Sequence, residues 1–455
     1  MDRVEKAGNV SGRPLQPSLT TRVVYVVSSG ATVAALVRWS SLLFVFSLPF
    51  ETMDASFTSK TLSLSRAAGL LFFAMCLIHP KQCFRHPPRA MWWFIGYITI
   101  YSLNGLFIPE QFLHEFFVGL FTRIQLITLF WVASGLLRDE KLARSALLTF
   151  LMASLLLSLG IIFKIPGFYM PITEGRVTAI GANANGLAFN MACAVLIMIG
   201  LRSDKGVRRL WYRALSVISL LPLLLVLTLT GSRSGIGGFV IAASLYLFPG
   251  QSFKRKRALI LWGILTIVTM VYMVVNDPAT SLRWERTYYQ GDTSGRNKIY
   301  EAAIAMISEQ PIFGWQPVRC FYELGRRVKT SIGKDAHDLY LYLLIEVGFV
   351  GTVPFLVGLL VCIRAAWKAR QGEMGMMPLA LLAALLAFSA ANTTLIGKTT
   401  WILLALGLAS AATVPAEQRR RARVLVKDQS SRMGRGKYWS WSSAISKQVT
   451  RSQKL

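Results

Sequence analysis

A chain of 455 residues that is 53% apolar and only 16% charged does not suit a soluble protein; its composition is that of a polytopic membrane protein. The net charge of +28 would suggest nucleic acid in a soluble chain, but the Lys and Arg residues stand in short clusters between apolar runs, so no nucleic-acid partner is expected and the pattern is that of positive-inside insertion. The odd number of cysteines, with Cys76, Cys193 and Cys362 in apolar runs, Cys83 in a basic loop and Cys320 in a polar segment, implies neither a disulfide framework nor a metal cluster.

Residues 1–31 are expected to be a cytoplasmic N-terminal segment; polar residues are scattered through Thr21, and no short apolar region with a small-residue cleavage site follows, so no cleaved signal peptide is expected. Apolar runs long enough to cross a bilayer of about 30 Å follow near 32–50, 62–79, 91–108, 116–137, 143–164, 182–201, 211–229, 232–249, 258–275, 339–363, 378–396 and 399–414. The expected fold is therefore all-α, with about twelve transmembrane helices: nine in 32–275, a large periplasmic helical segment at 276–338, three more in 339–414, and a basic cytoplasmic tail at 415–455. With the N-terminus in the cytoplasm, the inner segments hold 33 of the 50 Lys and Arg residues but 8 of the 22 acids. Splitting the first run into two spans would place Lys254, Arg255, Lys256 and Arg257 outside, which the insertion rule disfavours. Both termini are thus expected on the cytoplasmic side, and the tail is expected to be held by anionic membrane lipid.

Cations on the outer side are informative, because the insertion rule removes them unless something retains them. Arg66, Arg123, Arg176, Arg233, Arg296 and Lys398 all fall at or near expected outer ends of spans or in outer loops. Arg233 stands in LTLTGSRSGIGG, where two spans meet with almost no loop; Gly231 and Ser232 can break the helix, and Ser234, Gly235 and Gly238 make a small-residue face. An ionisable group at such a depth is either a snorkelling turn residue or a site with an anionic partner. Arg176 precedes a run rich in Gly and Asn, in which Asn183 and Asn185 can cap the next helix or bind a polyhydroxyl ligand.

Within the large polar segment, Ile299, Ala303, Met306 and Ile307 have the spacing of a short helix packed on a membrane or a bundle. Ser294, Gly295, Arg296 and Asn297 precede it, which puts a cation at a helix N-terminus suited to phosphate oxygens. Pro311 to Trp315 then make a turn with aromatic anchors. His337 is the histidine at which this segment re-enters the membrane, and the positive end of the following helix disfavours its imidazolium form. A neutral ring there can accept a proton. Glu51 and Asp54, just after the first span, form a rival pair of candidate catalytic acids.

Together, TGSRSG ahead of a span, SGR with an amphipathic helix after it, PIFGW, and HDLYLYLLIEVGFVG resemble the O-antigen ligase and O-antigen polymerase superfamily of bacterial envelope glycosyltransferases. The specific likeness covers about 230–352. The family usually has Asn after the histidine, where this chain has Asp338. The resemblance implies transfer of a glycan from an undecaprenyl-diphosphate carrier on the periplasmic face of the inner membrane. For a ligase the acceptor is lipid A–core, and for a polymerase it is another carrier-linked repeat unit. In this scheme Arg233, Arg296 and Arg176 bind the diphosphate, His337 is the catalytic base, and Ser232, Asn183, Asn185 and Asp338 support substrate or structure. The expected transfer inverts the anomeric centre and needs no metal or other cofactor, since no Asp-x-Asp occurs in the chain. A ligase is favoured because one outer segment dominates and 165–181 is short. A lipid-linked oligosaccharide flippase is the non-enzymatic alternative, disfavoured by the lack of two-halves symmetry and by cations gathered at one face.

Overall fold

The computed structural model describes residues 33–51, 63–171, 176–179, 183–203, 210–247, 295–330, 333–370, 372 and 374–412, with scattered helical positions between 260 and 289. The N-terminal segment 1–31, Asp54, the cluster from Lys254 to Arg257, the tail 415–455 and much of the run 258–275 lie outside the described residues.

Among the described residues the fold is helical apart from one antiparallel pair of two-residue strands, β1 (Met170–Pro171) and β2 (Val177–Thr178). The helices are α1 (Ala35–Ser47), α2 (Leu64–Ile78), α3 (Pro80–Cys83), α4 (Arg89–Gly105), α5 (Leu113–Leu136), α6 (Glu140–Ile162), α7 (Ala184–Ser203), α8 (Leu210–Leu229), α9 (Arg233–Ser244), α10 (Arg296–Glu309), α11 (Arg319–Arg327), α12 (Leu339–Ala369), α13 (Met377–Ser389) and α14 (Lys398–Ser410). Glu110–Leu136, Glu140–Ile162, Ala184–Leu201 and Leu339–Ala369 are long and apolar enough to cross a membrane. Shorter apolar helices accompany them at Ala35–Phe50, Leu64–Ile78, Ile218–Leu229, Arg233–Leu247, Met377–Ser389 and Lys398–Ser410. Exposed Trp39, Leu70, Phe117, Phe121 and Val240 give the bundle an apolar outer face that suits lipid rather than water. The chain is an integral membrane protein.

Helices that are apolar all round must bury every face or meet lipid. α7 takes the first course: Leu187, Ala188, Met191, Cys193, Val195, Leu196 and Met198 are all buried. The small-residue face expected in α9 is used at close range. A Cβ on Gly235 would lie 2.5 Å from Ala188 Cβ on α7, and one on Gly238 would lie 3.4 Å from the Ala384 carbonyl of α13. Elsewhere Phe94 of α4 meets Phe130 of α5, Phe355 of α12 and Trp401 of α14 at ring distances of 5.2, 5.5 and 5.1 Å. Such aromatic pairs contribute about 0.5–1.5 kcal/mol each beyond their burial.

Side chains at the helix ends bind loops to one another. Lys398 Nζ lies 2.6 Å from Glu51 Oε1, Asn104 Nδ2 donates to the Phe313 carbonyl at 2.7 Å, and Tyr322 donates to Glu115 at 2.8 Å. Two further features were not foreseen. Helix α11 follows the PIFGW turn, and its Arg327 clamps Glu309 of α10 with two hydrogen bonds of 2.7 and 2.6 Å. The second is a break in α12 at Gly348, where φ is 61° and ψ is −167°.

The PIFGW segment fills that break. Phe349 N donates to the Pro311 carbonyl at 2.9 Å, Val350 N to Ile312 at 3.1 Å, and Trp315 N to the Ile345 carbonyl at 2.7 Å. Backbone groups released by a broken helix must find such partners inside a membrane protein. The insertion also seats a small core of Ile299, Ala303, Met306, Cys320, Leu324, Ala336 and Ile345 on the upper part of α12. A Cβ on Gly348 would overlap the Ile312 carbonyl, and its positive φ disfavours any side chain. Gly348→Ala is therefore expected to destabilise the protein by about 1–3 kcal/mol. Thermal unfolding in detergent checks this against Gly237→Ala, whose added Cβ would meet nothing within 4 Å.

Candidate functional site

His337 stands one residue ahead of the α12 N-cap. Asp338 is that cap, accepting from Tyr340 N at 2.8 Å and Leu341 N at 2.9 Å. Capping satisfies two of the backbone donors that a helix start leaves open. It also occupies the Asp338 carboxylate with its own backbone, so the departure from Asn at this position concerns a helix cap. On the other side of the histidine, Ala336 is fully buried in the small core. Between these anchors His337 adopts φ 52°, in the left-handed region that non-glycine residues seldom enter. Strain of this kind persists where the surroundings hold it.

Three charged groups, Asp335, Arg296 and Lys334, act on the ring. Asp335 Oδ2 is 3.5 Å from His337 Nδ1, and both side chains are 35% exposed. Asp335 Oδ1 accepts a hydrogen bond of 2.7 Å from Thr393 Oγ1. Arg296 is the first residue of α10, after Gly295 with φ 74°, and it hydrogen-bonds Tyr300 one turn on. Burial lowers the His337 pKa below its ordinary value; Asp335 opposes this, while Arg296 and Lys334 add to it. The imidazole is thus neutral at pH 7 with a lone pair to offer. Burial raises the Asp338 carboxyl, against the pull of its backbone donors and of Arg296. For Tyr300, burial raises the phenol and Arg296 opposes it.

The second cluster forms where α8 turns into α9. Ser232 is buried and caps α9, accepting from Gly235 N at 3.2 Å, and Arg233 is the first residue of that helix. Arg176 reaches over Gly231: its Nε donates to the Thr230 carbonyl at 2.8 Å, and its Nη2 lies 3.5 Å from Asn185 Oδ1. Arg176 and Asn185 thus stand beside the turn that carries Ser232 and Arg233. Asn183 serves the start of α7, accepting from Asn185 N at 2.8 Å.

A loop outside both clusters joins them. Asn392 Nδ2 donates to Ser234 Oγ at 3.1 Å, next to Arg233, while the adjacent Thr393 holds Asp335. The run 378–396 had been expected to be a single span, but α13 ends at Ser389 and residues 390–397 form this loop. Its polar Asn392-Thr393-Thr394 triplet was the signal that an apolar run had ended. Glu51, the rival acid, is engaged by Lys398, which also donates to Ser65 Oγ at 3.0 Å. Arg123 is buried between helices instead of joining either cluster. Among the described residues no three His, Cys, Asp or Glu side chains are grouped as a metal ion would need.

Two guanidinium-bearing helix starts and a neutral histidine, presented together by a membrane bundle, can bind an anionic headgroup and take up a proton beside it. Residues 218–356 match the family model described as O-Antigen ligase, which supports membership of the O-antigen ligase superfamily. The match contains Ser232, Arg233, Arg296, His337 and Asp338 and leaves out Arg176, Asn183 and Asn185. No curated protein sequence matches the chain.

Proposed function

We propose that this O-antigen ligase-type membrane protein is the ligase itself. It transfers O-antigen glycan from undecaprenyl diphosphate to lipid A–core on the periplasmic face of the inner membrane, with both termini in the cytoplasm. The observation that carries the proposal is the pairing of the Arg176–Arg233 turn with the Arg296–His337 corner through one loop, inside or beside the matched family segment. A lipid diphosphate concentrates negative charge at the membrane surface, and guanidinium groups at helix starts suit it.

His337 takes the proton of the acceptor hydroxyl as that oxygen attacks the anomeric carbon. The bond from that carbon to the diphosphate oxygen breaks on the opposite face, so the centre inverts. The electron pair leaves with undecaprenyl diphosphate, whose charge Arg233, Arg296 and Arg176 stabilise. No proton has to be given to this leaving group, which fits a site with one candidate base and several cations.

A polymerase would use the same chemistry on a different acceptor. The short stretch between α6 and α7, in which the described residues include the β1–β2 pair, supports the ligase reading. A deletion strain tests it. Loss of all O-antigen from lipid A–core, with polymer still on its carrier, is the expected result. A single repeat unit still attached to lipid A–core would instead make the protein a polymerase.

A further inference from the structure

We infer that Asp335, held by Thr393, is the positioning residue for His337: it accepts a hydrogen bond from Nδ1–H, which keeps the hydrogen on Nδ1 and leaves Nε2 as the atom that accepts the proton of the acceptor hydroxyl. The inference rests on the proposed role of His337 as base.

Three observations support it. Asp335 presents its two oxygens to two different partners: Oδ1 takes the Thr393 hydroxyl at 2.7 Å, and Oδ2 faces Nδ1 at 3.5 Å. A carboxylate can only accept, so a hydrogen bond between the two requires the hydrogen on Nδ1. The distance is long for a hydrogen bond, as catalytic pairs commonly are before substrate is bound. Next, the backbone of His337 is held in the left-handed region between the buried Ala336 and the capping Asp338, so the ring projects from a fixed point. Finally, Thr393 follows Asn392, which is bonded to Ser234 beside Arg233. One loop thereby sets the orientation of the base relative to the turn that holds the diphosphate.

The charged groups that act on the imidazole are Asp335 and Lys334 on its own segment and Arg296 of α10, and Thr393 of the bridging loop reaches it through Asp335. In Asp335→Asn the amide oxygen can keep the Thr393 hydrogen bond, which turns the NH₂ toward Nδ1. That favours the tautomer with hydrogen on Nε2, which cannot act as base. The substitution also removes the one charge that raises the His337 pKa, leaving Arg296 and Lys334 to lower it further. The acid limb of the rate profile must then move to lower pH, because the neutral ring survives further into acid.

The test uses purified full-length protein, carrier-linked glycan and lipid A–core, with rates normalised to monodisperse protein. Asp335→Asn is expected to lower kcat about 10–100-fold with little change in donor KM, and to shift the acid limb downward. Thr393→Val should act in the same direction but less, and Thr393→Ser should restore the wild-type profile. A wild-type kcat and acid limb in Asp335→Asn overturn the inference, as does a loss of rate with an unmoved limb. If His337→Ala is inactive while Asp335→Asn is unaffected, the base survives and only the positioning role falls. If His337→Ala is fully active, the base assignment fails and the inference with it.

Discussion

Removing the imidazole at 337 is expected to lower glycan transfer by about 10²–10⁴-fold, the usual worth of a positioned base. The substitution has to separate chemistry from backbone strain, because His337 lies at φ 52°. Alanine loses the base and sits poorly in the left-handed region, whereas asparagine enters that region more readily and still cannot act as base at neutral pH. Both variants should therefore lose transfer alike, with His337→Asn unfolding at the wild-type temperature. The side chain is 35% exposed and lies 3.5 Å from the Asp335 carboxylate, so little stability depends on it. Glu51→Gln gives the contrasting case. It removes the carboxylate charge paired with Lys398, and both side chains are 23% exposed. A partly exposed ion pair contributes about 0–1 kcal/mol, so Glu51→Gln should keep most of its activity. Transfer retained by His337→Asn and lost by Glu51→Gln would falsify the base assignment and favour the acid in the first loop.

The site was legible in the sequence to the extent that its signals were local. Arg296 at a helix start, and Arg233 in a turn between two apolar runs, could be placed because glycine, serine and hydrophobic spacing within a few residues fix those starts. Asp338 was read only as support for substrate or structure, although its position before an apolar run is that of a helix cap. What the sequence hid is long-range. Thr393 and Asp335 are 58 residues apart, and nothing near either one announces the other. Arg176 and Arg233 stand in separate stretches, and Arg176 bonds the Thr230 carbonyl at the end of α8, three residues before Arg233. The break at Gly348 was hidden for another reason. Residues on both sides of it are apolar, and hydropathy cannot tell a continuous helix from two collinear pieces. The end of α13 within 378–396 was missed because apolar residues continue into the loop past Asn392 to Leu395 and Ile396.

Arg123 was read as an outer cation, and its burial yields the largest stability effect expected for a single substitution. Its side chain and that of Glu346 are 6% and 1% exposed, with Nη2 2.5 Å from Oε1. The surrounding polar groups are matched closely. Arg123 Nε donates to Tyr97 Oη at 2.9 Å, and Tyr97 donates to Glu346 Oε2 at 3.0 Å. Tyr342 donates to Oε1 at 2.8 Å, Nη1 donates to the Gly119 carbonyl at 3.2 Å, and the guanidinium lies 3.9 Å over the Tyr101 ring. The network joins α4, α5 and α12 two residues before the break at Gly348, so it fixes the segment of α12 whose start carries His337. A buried pair of this kind contributes little relative to an apolar one, but breaking it strands a charge and costs about 3–5 kcal/mol. Glu346→Gln should therefore lower the unfolding temperature sharply, since the amide leaves Arg123 uncompensated and offers one acceptor oxygen where Tyr97 and Tyr342 donate to two. Adding Arg123→Met removes the stranded charge and fills similar volume, so the double variant should regain most of the loss. The coupling between the two sites, measured by thermal unfolding of both single variants and the double, is expected to exceed about 2 kcal/mol. Additive effects would mean that the charges are solvated and that α12 is held by packing alone. If the double variant unfolds near the wild-type temperature but transfers glycan slowly, the network sets the position of His337 as well as the stability of the bundle.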